Sequence, residues 1–518
     1  MGSDGYDEFV AAMNLDWQVC SRARLTRDAR FDGKFFIAVL STGIYCRPIC
    51  PSRTSKEINV RYYPTAAAAS EAGFRPCLRC RPECSPGTPA WLGTPSTVSR
   101  ALRLIGESGL EDGGVEVLAE RLGVGSRHLR RLFLRHLGAT PSAVAQTRRL
   151  HFAKKLIDET RLPMKDIAMA AGFGCVRRFN AAIRRVYHRP PTQLRSLAKQ
   201  AAILPENQYL FRLRFRPPYH WKAMLRFLGD HAVPGVEVVE SDRYRRSISQ
   251  NGDDGYFEVS LGDEVDTLNV RVWFADPRSL YFITERIRLM FDLNADWSAI
   301  ARSLKTDPVL AKLLEAKPGL RLPGCWDGFQ LAVQAVLGNH VEPSDLKRME
   351  RRIVEKFGRN FSPAPGLTHL FPEPEVFANC DLASLGASRL QAQTIRSLAR
   401  AVCDQEIRFT GVAETNSFVD RLLKVPGLSE SIAQFIAMRA MGDTDAFPTA
   451  NAALLRATGL DSPEGLKKRS ESWRPWRAYA AMYLKDADCA VSREEEAPLV
   501  AASVKPIRAQ SFSRPALI

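Results

Sequence analysis

The chain has 518 residues, 45% of them hydrophobic, which is too long for one core and apolar enough for about three or four. Eleven scattered cysteines argue against a disulfide framework, the opening MGSDGYDEFV is too acidic and polar for a signal peptide, and no apolar run is long enough for a bilayer, so a cytoplasmic chain with no membrane partner is expected. Residues 1–200 hold 32 Lys+Arg against 17 Asp+Glu and residues 201–518 hold 41 against 40, which points the front, but not the back, at a polyanion.

The first motif lies in TGIYCRPICPSR and GFRPCLRCRPEC: Cys46-x3-Cys50, then 26 residues, then Cys77-x2-Cys80. Two close pairs separated by a short folded segment is the spacing of a tetrahedral zinc site, each pair forming one knuckle. Cys84 ranks below these four. Spacing alone leaves a purely structural zinc ribbon open. Residues 35–83 resemble the N-terminal domain of the bacterial Ada family of methylphosphotriester-DNA methyltransferases. The resemblance implies one Zn²⁺ on Cys46, Cys50, Cys77 and Cys80, with Cys46 both ligand and irreversible methyl acceptor. Bound zinc would keep the sulfur a thiolate, and four thiolates on Zn²⁺ carry a net charge of −2. Methylation would leave −1 and weaken the repulsion of DNA phosphates.

Residues 86–97, PGTPAWLGTPST, read as a linker. The stretch 115–138 then predicts a short helix, a Gly-Val-Gly turn and a basic second helix with Ser126 as N-cap. AVAQTRRLHFAKKLIDET is a connecting helix, and 164–195 repeats the unit. This tandem, with DIAMAAGF, Phe179 and PPTQLR, resembles the AraC-type helix-turn-helix domain. Arg127, Arg130 and Arg131 in the first unit, and Arg177, Arg178 and Asn180 in the second, are the candidate major-groove residues. Cys175 opens the last recognition helix and is expected to be a packing residue.

From 208 to 290 the runs YLFRLRF, DGYFEVSL and TLNVRVWF predict strands, and from about 326 the pattern is helical. FRPPYHWKAMLRFLGDHAVPGVEVV, PGLRLPGCWDGFQLAVQAVLGNHV and WRPWRAYAAMYL resemble the AlkA-type 3-methyladenine DNA glycosylase II, of the helix-hairpin-helix superfamily. That family flips a damaged base into an aromatic pocket, here implied at Phe227 and Phe435, and grips backbone phosphate with a hairpin, here Pro426, Gly427 and Ser429. The resemblance puts Asn451 where the family has its catalytic aspartate, Ser431 at a pocket aromatic, and Gly338-Asn339-His340 at the DNA wedge, with His340 as wedge residue. A neutral amide offers no full negative charge to a forming oxocarbenium, so impaired base excision is expected. No lysine stands at the hairpin's exit, and the Pro-Cys-His-Arg run of O6-methylguanine repair is absent.

The expected fold class is multidomain α+β. It comprises a small four-cysteine zinc domain (1–85), an all-α tandem helix-turn-helix domain (95–198), an α+β subdomain (205–320), an all-α helix-hairpin-helix domain (321–490) and a disordered tail (491–518). The expected function is an alkylation-damage response: phosphotriester repair at Cys46, transcription regulation, and a glycosylase-like module of uncertain chemistry. The expected partners are double-stranded, alkylated and promoter DNA and RNA polymerase, with the chain a monomer. Two alternatives stand: a fully active glycosylase fusion in which Asp443 or Asp445 replaces Asn451, and a zinc-stabilised DNA-binding regulator without catalysis.

Overall fold

The computed structural model describes residues 16–87, 96–108, 114–198, 201–410 and 415–496. Helix α1 (Trp17–Thr26) precedes a sheet of β1 (Phe36–Val39), β2 (Ile44–Cys46), β3 (Val60–Tyr63) and β4 (Arg75–Pro76), in the order β3-β1-β2-β4, with α2 (Ala66–Glu71) before β4. The helical segment contains α3 (Ser96–Ser108), α4 (Gly114–Arg121), α5 (Ser126–Leu137), α6 (Pro141–Glu159), α7 (Met164–Ala170), α8 (Val176–Tyr187) and α9 (Pro191–Leu197). Both predicted recognition helices, α5 and α8, bury every fourth residue, Leu129, Phe133 and Leu137 in one and Phe179, Ile183 and Tyr187 in the other.

Next come β5 (Gln208–Arg214), α10 (Trp221–Asp230), β6 (Glu237–Glu240), β7 (Arg243–Gln250), β8 (Asp253–Leu261) and β9 (Thr267–Trp273). The strands form one antiparallel sheet in the order β5-β9-β8-β7-β6. Alternation sets its buried face: Tyr209, Phe211 and Leu213 on β5 meet Leu268, Val270 and Val272 on β9. Helices α11 (Leu280–Met290), α12 (Trp297–Leu304), α13 (Pro308–Ala316), α14 (Gly328–Leu337) and α15 (Pro343–Phe357) lead to the hairpin β10 (Arg359–Ala364) and β11 (Leu367–Leu370). Helices α16 (Pro374–Phe377), α17 (Arg389–Cys403), α18 (Thr415–Leu423), α19 (Glu430–Ala440), α20 (Ala452–Thr458), α21 (Pro463–Ser470) and α22 (Arg477–Glu496) complete the described chain.

Several expectations need correction. The last part is not all-α, because β10 and β11 interrupt it. Residues 491–496 continue α22 rather than starting a disordered tail, and 497–518 lie outside the described residues. Residues 88–95 of the expected linker also lie outside, whereas Pro86 is buried and Gly87 is docked, its N–H donating to Asn294 Oδ1 at 2.9 Å. Ser126 is the first helical residue of α5; Gly125 holds the N-cap position. Cys175 is exposed rather than packed.

The cores cross the boundaries drawn from sequence. Phe36, Tyr45 and Tyr63 of the first sheet share a core with Leu102, Leu118 and Phe133. Leu156, Ile167 and Phe179 share another with the five-stranded sheet. Arg216, buried in this seam, donates to the carbonyls of Asp32 (2.8 Å), Asn294 (2.6 Å) and Gly87, and Lys34 pairs with Asp296 at 2.5 Å. On α6, Lys155 reaches Glu159 (2.8 Å) and the Arg212 carbonyl (2.7 Å), while Lys154 and Arg81 both pair with Asp158 at 2.6 and 2.9 Å. Helix α3 in turn donates from Arg103 to the Met441 carbonyl at 2.7 Å. Buried charges of this kind are tolerated only because each is answered, across the seam or along α6.

Candidate metal centre and base pocket

Strand pairing assembles the cysteines. β2 runs parallel to β4 with Tyr45 opposite Pro76, so Cys46 and Cys77 leave neighbouring strands at the same end, tied by the Cys77 N–H to the Tyr45 carbonyl at 3.0 Å. Each pair then closes a tight turn, Cys50 N–H to Arg47 O and Arg81 N–H to Cys77 O, both 3.1 Å. All four Sγ atoms lie within 4.8 Å of one another. Sulfurs at about 2.3 Å from a tetrahedral Zn²⁺ would sit just under 4 Å apart, so the donor set and spacing fit one zinc ion. Cys84 is outside the cluster, buried, and burial pushes its thiol up. The four clustered thiols compete for protons: sharing with Cys50 holds Cys46 up, while sharing with Cys46 pulls Cys50 and Cys77 down. Cys46 and Cys50 are half-exposed and Cys77 and Cys80 buried, so the first pair forms the open edge.

Arg47 braces this centre. Its backbone N–H reaches Cys80 Sγ at 3.4 Å, and its guanidinium donates to the Cys80 carbonyl at 3.0 Å and to both oxygens of buried Asp32. The paired carboxylate and hydrogen bonds offset the desolvation of a guanidinium beside the sulfurs.

Arg127, Arg130 and Arg131 are exposed on α5; Arg130 pairs with Glu116 at 2.7 Å and Arg131 meets His128 Nδ1 at 3.0 Å. On α8, Arg177 and Arg178 are exposed and Asn180 is half-buried. In both helices the arginines lie in the first turns, opposite the buried stripe.

In the second half, Pro426, Gly427 and Ser429 form the exposed turn between α18 and α19. Gly427 has φ +87°, and a Cβ there would collide with Thr394 Oγ1, so the residue is fixed as glycine. Ser429 caps α19, its hydroxyl accepting from the Ile432 N–H at 3.3 Å. His340 is exposed, with φ +58°, just beyond α14. Asn451 caps α20, its Oδ1 accepting from the N–H groups of Ala453 (3.1 Å) and Leu454 (3.3 Å). Of the alternative carboxylates, Asp445 is held by Arg477 at 2.8 Å and by Arg474, and Asp443 accepts the Asp445 N–H at 2.8 Å.

Phe227 and Phe435 both face one resident cation. The Arg439 guanidinium lies 4.8 Å from the Phe227 centroid and 5.6 Å from that of Phe435, anchored on the carbonyls of Pro323 (3.0 Å) and Gly324 (3.1 Å). Lys485 Nζ stands 5.4 Å from the Phe435 centroid. His231 stacks on Phe227 at 4.2 Å; burial first, then Arg439, Lys485 and Lys347, pull its pKa down to about 3. Sequence reasoning missed Arg439 and Lys485. Their one-turn and whole-domain separations from Phe435 gave no motif, although Arg439 stands four residues on, on the same helical face.

Residues 19–83 match the family described as the metal binding domain of Ada, 118–196 a helix-turn-helix domain family, and 210–327 the AlkA N-terminal domain family. A Mycobacterium tuberculosis protein named "Probable bifunctional transcriptional activator/DNA repair enzyme AlkA" is 38% identical over 480 residues, 91% of this chain and 96% of that protein. DNA-3-methyladenine glycosylase 2 of Escherichia coli is 28% identical over 53% of this chain and 96% of its own length. The Escherichia coli bifunctional transcriptional activator/DNA repair enzyme Ada is 39% identical over 24% of this chain and 33% of its own. Among the described residues no helix is long and apolar enough to cross a membrane.

Proposed function

Since the chain belongs to the family of bifunctional transcriptional activator/DNA repair enzymes that joins an Ada-type zinc domain and a helix-turn-helix domain to an AlkA-type glycosylase module, we propose that Cys46 is its methyl acceptor. The observation that carries this reading is a four-sulfur cluster whose open edge is formed by the first pair. Bound Zn²⁺ supplies a sulfur that stays deprotonated at neutral pH. Cys46 Sγ attacks the methyl carbon of a methylphosphotriester; the S–C bond forms as the O–C bond breaks, and the phosphate leaves as an ordinary anionic diester. No co-reactant is needed, and the protein is consumed. A neutral triester can approach a negative sulfur cluster that ordinary phosphates are repelled by, which gives selectivity for the lesion.

The transfer removes one negative charge from the DNA-facing edge, so affinity for promoter DNA rises and the gain shrinks with salt. Arg127, Arg130, Arg131, Arg177, Arg178 and Asn180 read the DNA, and activation proceeds through RNA polymerase in the cytoplasm, with the chain a monomer. In the second module Pro426, Gly427 and Ser429 hold a backbone phosphate and His340 enters the duplex, while Asn451 leaves excision weak. The engagement of Asp445 with two arginines supports weak excision over a rescued active site.

Incubating the full chain with duplex carrying methylphosphotriesters and 3-methyladenine, and following intact mass and base release together, tests both parts. One methyl on Cys46, with zinc retained and little free base, is expected. A methyl on Cys50 or Cys84, or none in zinc-loaded protein, overturns the acceptor role.

A further inference from the structure

A cavity of about 510 Å³ lies at the seam between the helix-turn-helix segment and the second half. Among the described residues neither Phe227, Phe435 nor Asn451 lines it, so it is separate from the base site, although Arg439 borders both. Four helices supply its cations: Arg100 from α3, Arg148 from α6, Arg286 and Arg288 from α11, and Arg439 from α19. Arg288 reaches Glu285 at 3.7 Å, but Arg100, Arg148, Arg286 and Arg439 form no ion pair among the described residues. Each donates to neutral oxygen instead: Arg100 to Thr97 Oγ1 (3.3 Å), Arg148 to the Leu102 carbonyl (2.8 Å), Arg286 to the Trp326 carbonyl (2.8 Å), and Arg439 to the carbonyls of Pro323 and Gly324. The other carboxylates of the lining are engaged elsewhere. Asp292 accepts from the Tyr479 hydroxyl (2.7 Å) and the Leu322 N–H (3.2 Å), Asp445 holds Arg477 and Arg474, and Asp443 accepts the Asp445 N–H. Carbonyls satisfy the hydrogen bonds of a guanidinium but not its charge, and a buried charge without a counter-ion is costly. Arg286 and Arg439 are only 5% and 6% exposed. Burial, partly offset by Cys325, Glu237 and Tyr244, lowers the Arg439 pKa.

We propose that this cavity is an anion site that holds the phosphate of a mononucleotide-sized ligand on Arg148, Arg286 and Arg439. A guanidinium carries five N–H donors and pairs with phosphate oxygens two at a time, and each of these three keeps donors beyond those its carbonyls engage. The volume falls in the range of small-molecule sites, and Phe282, Leu289, Leu322 and Met438 give it apolar walls for the base. The ligand would supply the negative charge that the protein withholds from its own buried arginines. It would also act between modules, since α3 and α6 belong to the helix-turn-helix segment and α11 and α19 to the second half. A nucleotide bound here would reinforce the seam that Arg103 already closes on the Met441 carbonyl.

The test titrates the full chain, free of DNA, with AMP, adenosine and inorganic phosphate by calorimetry, and follows the melting temperature in the same buffers. AMP should bind at least about tenfold more tightly than either adenosine or phosphate, and it should raise the melting temperature. Arg286→Met should weaken AMP binding by at least about tenfold and lose the AMP-dependent rise. An arginine with a purely structural role would instead lower the melting temperature with and without AMP and leave the rise intact. Should Arg286→Met fold poorly, Arg148→Gln, at a half-buried position, gives the same reading. No AMP binding by the wild type, equal affinity for adenosine, or an AMP-dependent rise that survives both substitutions overturns the site. Phosphate as tight as AMP overturns the nucleotide and leaves only the free anion.

Discussion

The sulfur cluster and the Phe227–Phe435 site are each assembled from residues distant in sequence, yet the cations beside them are engaged differently. At the cluster, parallel pairing of β2 with β4 brings two knuckles together, and the adjacent Arg47 is neutralised by Asp32. With Zn²⁺ bound, the sulfurs would keep the negative character that a nucleophile needs. At the pocket, Phe227, Phe435 and the glycine turn survive, but Arg439 and Lys485 face the rings and an amide occupies position 451. On the proposed reading, a site for displacing a methyl and a site for stabilising a cationic sugar both depend on negative charge, and position 451 offers only an amide.

The sharpest break of this contrast is at Cys46. Cys46→Ser should abolish methyl transfer entirely, while Cys84→Ser leaves it intact, both read by intact mass after exposure to methylated duplex. Removing zinc with a strong chelator should also abolish transfer and lower the melting temperature, because three or four uncompensated thiols cannot hold two knuckles together. Transfer in Cys46→Ser would erase the distinction between the two regions.

Next in size is the brace. Arg47→Met leaves Asp32 buried without its partner, which costs about 3–5 kcal/mol of unfolding free energy, measured by urea titration. Asp32→Asn in the same background should recover part of that loss by removing the orphaned charge. For contrast, the exposed pair Arg130–Glu116 should cost at most about 1 kcal/mol when either side is neutralised.

These braces mark where sequence reading stops. The cysteine spacing, both helix-turn-helix units and the Pro-Gly turn were legible because each is local: a knuckle, a helix period, a residue forced to positive φ. Arg216 was not legible, since its partners Asp32 and Asn294 lie far away in both directions along the chain. β10 was missed because RNFSPA lacks the apolar alternation that identifies a strand, and α3 because it follows a Pro/Gly/Thr-rich run read as linker. Lys485 was illegible for a third reason. It sits in a run of core-facing residues on α22, and its approach to Phe435 joins two helices far apart in sequence.

Burial shifts two kinds of group in opposite directions. Burial lowers His151, which contacts the Tyr45 hydroxyl at 3.1 Å, to about 4, whereas burial raises Glu350, beside Gln334 at 2.9 Å, to about 7. A depressed histidine contributes stability above its unfolded pKa of about 6.5 and loses it as pH falls towards 4, up to about 3 kcal/mol. A raised glutamate contributes stability below its unfolded value of about 4.5 and loses it as pH rises through 7. Denaturant titrations from pH 4 to 8 should therefore show an acid limb, to which His231 of the second half contributes beside His151, and a basic limb from Glu350. His151→Gln should flatten the acid limb, and Glu350→Gln the basic one.

The smallest expected effect is the most direct probe of the second region. Asn451 Oδ1 caps α20 through two backbone N–H groups, and an aspartate in the same rotamer makes the same two bonds, so Asn451→Asp should fold normally. It restores a full negative charge where a cationic sugar would form. Removing such a charge costs on the order of a hundred- to ten-thousand-fold in rate. Recovery should be smaller, about ten- to a hundredfold, because Ser431 leaves the proposed pocket without one ring and His340 alters the wedge. Base release from 3-methyladenine duplex measures the gain. Wild-type release at the rate of an ordinary family member, or no gain in Asn451→Asp, would place the second region beside the first as a working centre or remove position 451 from its chemistry.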